Sequence, residues 1–312
     1  DWVKLSNDPG HPLYNRAVQS VYPPGSTFKV VVSLAGLDSG KIDPGEKVQC
    51  SGSLRTGRKV FRCWKKGGHG VVDFHRGLVE SCDVYFYTMG DRMGFDFIAD
   101  YARKLGLGSK TNIVLADEKA GLVPTAQWKR ENINEPWYPA DNFMNSIGQG
   151  FLQVSPIQAA QMIGAVANGG VFYQPQLLKR TRNRETGAEQ VFPPKERKRV
   201  SFGAEALEEV RRALLGVTTE AGGTAHSAAT PLGKVAGKTG TAQVIAQKTP
   251  GMKLTETTQD HAWFIAYAPA DEPKIAVAVI VEHGGHGGAA AAPVARKVIE
   301  EYLRHAGTKT AR

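Results

Sequence analysis

Three short runs in this chain carry residue types that can perform acyl transfer, and they occur in one order. Ser26-Thr27-Phe28-Lys29 is Ser-x-x-Lys, Ser81-Cys82-Asp83 is Ser-x-Asp, and Lys238-Thr239-Gly240 is followed by Thr241. Ser81 lies 55 residues after Ser26, and Lys238 lies 157 residues after Ser81. A serine hydroxyl is a poor nucleophile until a base takes its proton. Positions i and i+3 of a helix share a face, which sets Lys29 one turn above Ser26. Desolvation and nearby cations lower the pKa of a buried lysine, so Lys29 can serve as that base. A helix start also brings the positive end of its dipole to charge developing at Ser26. Ser81 can relay a proton, and Asp83 can hold substrate or order the two lysines. Lys238, Thr239 and Gly240 on a strand edge suit a carboxylate, and the N–H groups of Thr241 and Ser26 can face one oxyanion. Each run alone arises easily by chance. Together and in order, they predict a serine acyl-transfer site.

Three cysteines cannot complete a disulfide framework within one chain. Cys50 and Cys63 are 13 apart, Cys63 and His69 are 6 apart, and His69 and Cys82 are 13 apart. Three thiolates and one imidazole satisfy a closed tetrahedral Zn2+ site. They bracket a stretch, 41–80, that is rich in Gly, Lys, Arg and Ser and too poor in apolar periodicity to build a core. A structural zinc would supply the missing cohesion, so 41–82 reads as a zinc-stabilised subregion. Cys82 lies inside the second run, where a bound metal would help fix Ser81 and Asp83. Two other readings stay open. One is a Cys50–Cys63 disulfide beside a buried free Cys82, which an oxidising compartment favours. The other is three free thiols.

These groups need elements to hold them. The run from Ser26 to Leu37 is almost wholly apolar and is stopped by Gly40, which predicts a buried helix opened by the Pro23-Pro24-Gly25 turn. Helical patterns follow at 84–92 and 95–105. Ser155-Pro156-Ile157-Gln158 is a capped helix start, and Gly169-Gly170 ends that helix. Ala204 to Leu215 reads as amphipathic, with Leu207, Val210 and Leu214 inward. Three strand-like runs at 234–243, 262–268 and 274–282 predict an antiparallel sheet, closed by a helix from about Pro293 to Arg304. The order gives a mixed α/β chain whose sheet comes late.

Composition agrees with a folded chain of 312 residues, with 41% apolar and 22% charged residues, and excludes disordered, collagenous and coiled-coil classes. No run approaches a membrane span. The chain opens on Asp1, so an anchor or export segment is expected upstream. The formal charge is +9 with a pI near 9.4. Its cations cluster at 179–199, which reads as a solvated basic hairpin, and no nucleic-acid-binding signature accompanies them. His283-Gly284-Gly285-His286 reads as a flexible cleft rim. Trp128, Trp137 and Tyr138 read as loop packing.

The ordered motif set resembles that of the penicillin-recognising serine enzymes. The gap of 157 resembles transpeptidase domains more than class A β-lactamases, and the Glu-x-x-Leu-Asn element of the latter is not found. Tyr22-Pro23-Pro24-Gly25-Ser26, Gly148-Gln149-Gly150, Gly223-Thr224-Ala225, Gly237-Lys238-Thr239-Gly240-Thr241-Ala242 and His261-Ala262-Trp263-Phe264 are similar to class B penicillin-binding proteins, over roughly Leu13 to Leu303. Trp64-Lys65-Lys66, Gly68-His69-Gly70 and Asp83 in place of Asn resemble the elongation-specific, penicillin-binding protein 2 branch. Some of its members are similar also in holding a metal at matching positions.

The resemblance implies one transpeptidase domain over 1–312, in the penicillin-binding protein transpeptidase/serine β-lactamase-like fold: an antiparallel sheet with flanking helices, interleaved with an all-helical lobe. It implies a Ser26 acyl-enzyme that cross-links peptidoglycan stem peptides ending in D-Ala-D-Ala in cell elongation, with β-lactam antibiotics as mimics of that terminus. A membrane glycosyltransferase and elongation scaffold proteins are the implied partners, met through regions outside this chain. The implied location is the periplasmic face of the bacterial inner membrane. A D,D-carboxypeptidase or β-lactamase of the same fold and a non-catalytic β-lactam sensor are the alternatives.

Overall fold

A computed structural model describes residues 1–244 and 258–308. Its sheet is antiparallel and three-stranded, in the order Ile275–Val281, His261–Ala268, Ala236–Ala242. Side chains alternate across the middle strand. Trp263, Ile265 and Tyr267 enter the main core, while Ala262, Phe264, Ala266 and Ala268 enter a second one. The helix Pro156–Asn168 lines the first core and the closing helix lines the second through Ala291, Ala292, Ala295 and Ile299. The strand Ala236–Ala242, which carries Lys238 to Thr241, is therefore an edge strand with one side open to other partners.

The closing helix runs over Gly287–Thr308, six residues earlier than the sequence suggests, and Pro293 lies inside it. The early start has a steric reason. A Cβ on Gly287 would stand 2.1 Å from the Trp263 carbonyl oxygen, so only glycine lets the first turn lie on the sheet. The other expected helices are present as Lys29–Asp38, Asp83–Met93, Phe95–Lys104, Pro156–Asn168 and Ala204–Thr219. Ser155 accepts from the Gln158 N–H, the Gln158 side chain returns the bond, and Pro156 opens the helix. The helix from Ala204 runs four residues past Leu215 because Gly216, Val217 and Thr218 are also buried.

Residues 41–80 form a short ribbon, Val48–Cys50 against Gly70–Val72, a hairpin, Ser53–Thr56 against Lys59–Arg62, and the helix Phe74–Val79. The basic stretch is an exposed hairpin of Arg180–Arg182 and Glu189–Val191, then the strand Glu196–Arg199 paired with Val171–Tyr173.

The apolar run from Ser26 divides in two. A 3-10 turn covers Gly25–Phe28, and an α-helix follows over Lys29–Asp38, whose first eight residues are all buried. In a 3-10 turn positions i and i+3 eclipse, which keeps Lys29 over Ser26. The turn is locked at a backbone junction. The Gly25 N–H donates to the Gly148 carbonyl at 2.9 Å, and a Cβ on Gly25 would meet the Thr241 carbonyl oxygen at 2.5 Å. Gly148 has φ +75°, and its Cβ would meet the Gly25 oxygen at 2.0 Å.

Gly148→Ala therefore combines left-handed strain with a backbone collision and should cost about 3 kcal/mol. Gly57→Ala in the hairpin turn has φ +54° and open space around it. It should cost only about 1 kcal/mol. Urea unfolding of the two variants checks the difference.

Candidate active site

The second and third motifs converge on Lys29. Its ammonium, fully buried, donates to the Ser81 carbonyl at 2.9 Å, to Ser81 Oγ at 3.2 Å and to Asp83 Oδ1 at 2.7 Å. The Phe86 ring lies 5.3 Å away. Ser81 is buried and held at φ +57°, a conformation uncommon for a non-glycine residue. It ends the helix Phe74–Val79 and precedes Asp83–Met93, so both helices fix the loop that carries it.

Lys238 is wholly buried, with Nζ 3.3 Å from the Thr239 carbonyl oxygen. Burial and then the charge of Lys29 push its amine well below the ordinary lysine value, and Asp83 offsets only part of this. Thr239 Oγ1 is 2.7 Å from Thr224 Oγ1. Gln149 Nε2 donates to the Thr241 carbonyl at 2.9 Å from the open side of the edge strand. In an antiparallel strand the N–H and C=O of one residue point the same way. The Thr241 N–H therefore faces that open side too, next to Gly25 and the 3-10 turn whose first N–H groups include that of Ser26. Ser26, half-buried, lies in the 3-10 turn Gly25–Phe28, which packs on this strand and leads directly into the helix of Lys29.

Ser26, Lys29, Ser81, Asp83, Lys238, Thr239, Gly240 and Thr241 are thus drawn to one region from three distant segments. Gly240 is there because a Cβ would meet the Pro24 carbonyl oxygen at 2.8 Å, so its bareness lets the strand approach the nucleophile turn. Sequence reasoning assigned no role to Gln149, Thr224 or Trp64, although all three stood in the runs that carried the resemblance. A polar or aromatic residue beside glycines or a candidate ligand was the available signal.

The cysteine reading also gains geometry. Cys50, Cys63, His69 and Cys82 are all buried, and their ligand atoms lie within 4.8 Å of one another. His69 Nδ1 is 3.6 Å from Cys50 Sγ and 3.4 Å from Cys63 Sγ. Ordinary zinc–sulfur and zinc–nitrogen lengths imply tetrahedral edges of about 3.5 Å. All three cysteines are free thiols. A hydrogen bond from Cys82 lowers the Cys63 pKa, and the same bond with burial raises that of Cys82. One negative charge is accepted here and a second is resisted, which is the condition a dication relieves. The donor set thus fits zinc.

The remaining candidates fall outside this cluster's chemistry. His75 pairs with Glu220 at 2.8 Å. His283 donates its backbone N–H to His261 Nδ1 at 3.0 Å, and its ring meets the Gln259 carbonyl, so the glycine-rich rim is tied to the sheet. Trp137 stacks on Phe95 and Tyr138 lies beside Lys129, both in the loop expected, whereas Trp128 packs on Phe151 from the helix Ala126–Ile133 and not from a loop.

Comparison with known proteins follows the same lines. The family model described as the penicillin binding protein transpeptidase domain matches residues 3–300. The chain is 38% identical to the peptidoglycan D,D-transpeptidase MrdA of Acinetobacter baumannii, over 97% of this chain and 45% of that protein. It thus spans about half the length of such relatives. It superimposes on PBP2 of Pseudomonas aeruginosa, solved in complex with WCK 5153, with a TM-score of 0.84 and 34% identity over 96% of this chain and 65% of that one. Penicillin-binding protein A of Mycobacterium tuberculosis, solved as a ceftriaxone acyl-enzyme, gives 0.80 and 30% over 96% of this chain and 64% of that one.

Lys29→Met would leave the buried Asp83 carboxylate without its ammonium, at an expected cost of about 3 kcal/mol. Adding Asp83→Asn should recover part of that loss by removing the stranded charge. Urea midpoints of the single and double variants check this.

Proposed function

Because the chain belongs to the penicillin-binding protein transpeptidase family, with the fold of that family, we propose that it is the catalytic domain of a peptidoglycan D,D-transpeptidase. The carrying observation is that Lys29 gathers the second motif while the Lys-Thr-Gly strand abuts the turn bearing Ser26. Ser26 Oγ attacks the carbonyl between the two terminal D-alanines of a stem peptide. Its proton passes to the lysine–serine cluster, where Lys238 is kept toward its neutral form and Ser81 stands ready to relay. The N–H groups of Ser26 and Thr241 meet the oxyanion, and Thr239 and Thr241 hold the donor carboxylate. D-Alanine leaves with the proton, and the amine of a neighbouring stem peptide then takes the acyl group from Ser26. β-Lactams acylate the same oxygen; the mycobacterial relative was solved as a ceftriaxone acyl-enzyme complex.

Water in place of the amine would make the chain a carboxypeptidase, and a stalled adduct would make it a sensor. The name of the Acinetobacter relative and the missing Glu-x-x-Leu-Asn element favour transpeptidation. Elongation is the assigned setting, with a membrane glycosyltransferase and scaffold proteins as partners through parts of the protein outside this chain. The periplasmic face of the inner membrane is the assigned location. Within the described residues no helix is long and apolar enough to cross a membrane.

We also assign Cys50, Cys63, His69 and Cys82 as ligands of a structural zinc, with His69 binding through Nδ1. Bound there, zinc would supply cohesion and no Lewis-acid step, since four protein ligands close the site.

Incubation with penicillin should add one acyl group to the wild-type chain in an intact-mass spectrum and none to Ser26→Ala. Destruction of the antibiotic without an adduct would instead mark a hydrolase. Native mass of the purified chain should show one zinc. Cys82→Ser and His69→Ala should lose it, with a fall in the thermal midpoint.

A further inference from the structure

Trp64 follows a candidate zinc ligand, Cys63, yet its bonds run to the second catalytic motif. Its backbone N–H donates to Asp83 Oδ2 at 2.9 Å. Its indole N–H is shared between the Ser81 carbonyl at 3.0 Å and the Glu80 carbonyl at 3.1 Å. The Ser81 carbonyl is also an acceptor of the Lys29 ammonium. The other Asp83 oxygen is likewise the one that takes Lys29. Trp64 therefore bonds to two of the three groups that hold the lysine, the Ser81 carbonyl and the Asp83 carboxylate. A return bond closes the frame, since the Asp83 N–H donates to Cys63 Sγ at 3.3 Å. The indole ring lies edge-on to His69, with centroids 5.4 Å apart.

An indole half exposed to solvent contributes little by burial, and at 57% exposure Trp64 is a poor core residue. Its value lies in the direction of its N–H. Ser81 sits at φ +57°, where a seryl residue is strained, and the loop from Glu80 to Asp83 has two successive carbonyls turned toward one donor. Backbone bonds from Ser81 to Leu78 and from Cys82 to Gly77, together with Lys29, still hold this loop. The indole N–H adds the restraint that sets the direction of the Glu80 and Ser81 carbonyls, and with it the place of Ser81 Oγ relative to Lys29 Nζ.

We infer that Trp64 is a positioning residue, whose indole N–H carries the geometry of the cysteine–histidine cluster into the Ser81–Asp83 motif and so sets the acylation rate. Its hydrogen bonds run to Glu80, Ser81 and Asp83, so it acts through the loop that carries the second motif. The inference rests on Ser26 being the acylated nucleophile.

The test uses the purified chain, with penicillin acylation followed over a range of antibiotic concentration. Binding and the limiting acylation rate are thereby separated. Trp64→Phe keeps a ring and the backbone N–H and loses the indole donor. The limiting rate should fall about three- to tenfold, the range of one neutral hydrogen bond. The apparent dissociation constant, the zinc content and the thermal midpoint should stay at wild-type values. An unchanged limiting rate overturns the inference. So does a rate that falls only in step with lost zinc or lost folded protein, which is what a purely structural role gives. Should Trp64→Phe not fold, Trp64→Tyr is read by the same criteria. Failure of the wild-type chain to acylate overturns the functional reading and this inference with it, whereas equal rates overturn this inference alone.

Discussion

A lysine ammonium withdrawn completely from water must find its acceptors inside the protein, because an unpaired buried charge is far too costly to keep. Lys29 has one loop to satisfy it. Ser81 gives a carbonyl and a hydroxyl and Asp83 gives a carboxylate. That requirement explains much of the surrounding architecture. The helix carrying Lys29 is apolar on all sides because it must run through the core to bring the amine there. The Ser81 backbone takes an uncommon conformation because both its oxygens must face one nitrogen. A second lysine, Lys238, enters the same region wholly buried, and burial and then the charge of Lys29 push its amine well below the ordinary lysine value.

The loop that satisfies Lys29 is held by something other than apolar packing. Within 41–80 apolar burial is concentrated in Ile42, Val72, Phe74, Leu78 and Val79, more core than the sequence suggests, while the strands between 48 and 72 are short ribbons. Cohesion there comes from convergent thiols and an imidazole, and from hydrogen bonds between residues 63–64 and 80–83. A metal site placed at this junction would stabilise the fold and hold the motif through the same atoms. On the other side of the cleft, two glycines and Gln149 hold the nucleophile turn against the edge strand by backbone contact. One catalytic region is thus assembled from three kinds of constraint: ion pairing, convergence of candidate metal ligands and glycine-permitted close approach.

Much of this was legible in the chain. The periodic segments and their caps gave the main helices, and three strand-like runs in the last third gave the antiparallel sheet. The basic run resolved in part into the exposed hairpin its composition suggested, while its end, Glu196–Arg199, pairs with Val171–Tyr173 and Lys198 is tied to the Arg103 and Lys104 carbonyls. The closing helix was misjudged at its start because Gly287 and Gly288 look like a loop in one dimension. The sheet beneath them is what makes glycine necessary. The ribbon and hairpin within 41–80 carried no periodic signal, since strands of three or four residues with little burial leave none.

The sequence by itself determined which groups are available: a serine three residues from a lysine, a second serine beside an acid, a Lys-Thr-Gly-Thr run, and four soft ligands at matched spacing. Residue type and local spacing set intrinsic reactivity and the face of one helix turn, and both are local properties. Only the tertiary structure decided which lysine is ion-paired and which has its amine pushed down by burial, that Gln149 holds Thr241, and that Trp64 reaches across to Ser81. Those outcomes depend on burial and on contacts between segments tens to hundreds of residues apart. Desolvation and hydrogen-bond direction exist only once the segments have packed.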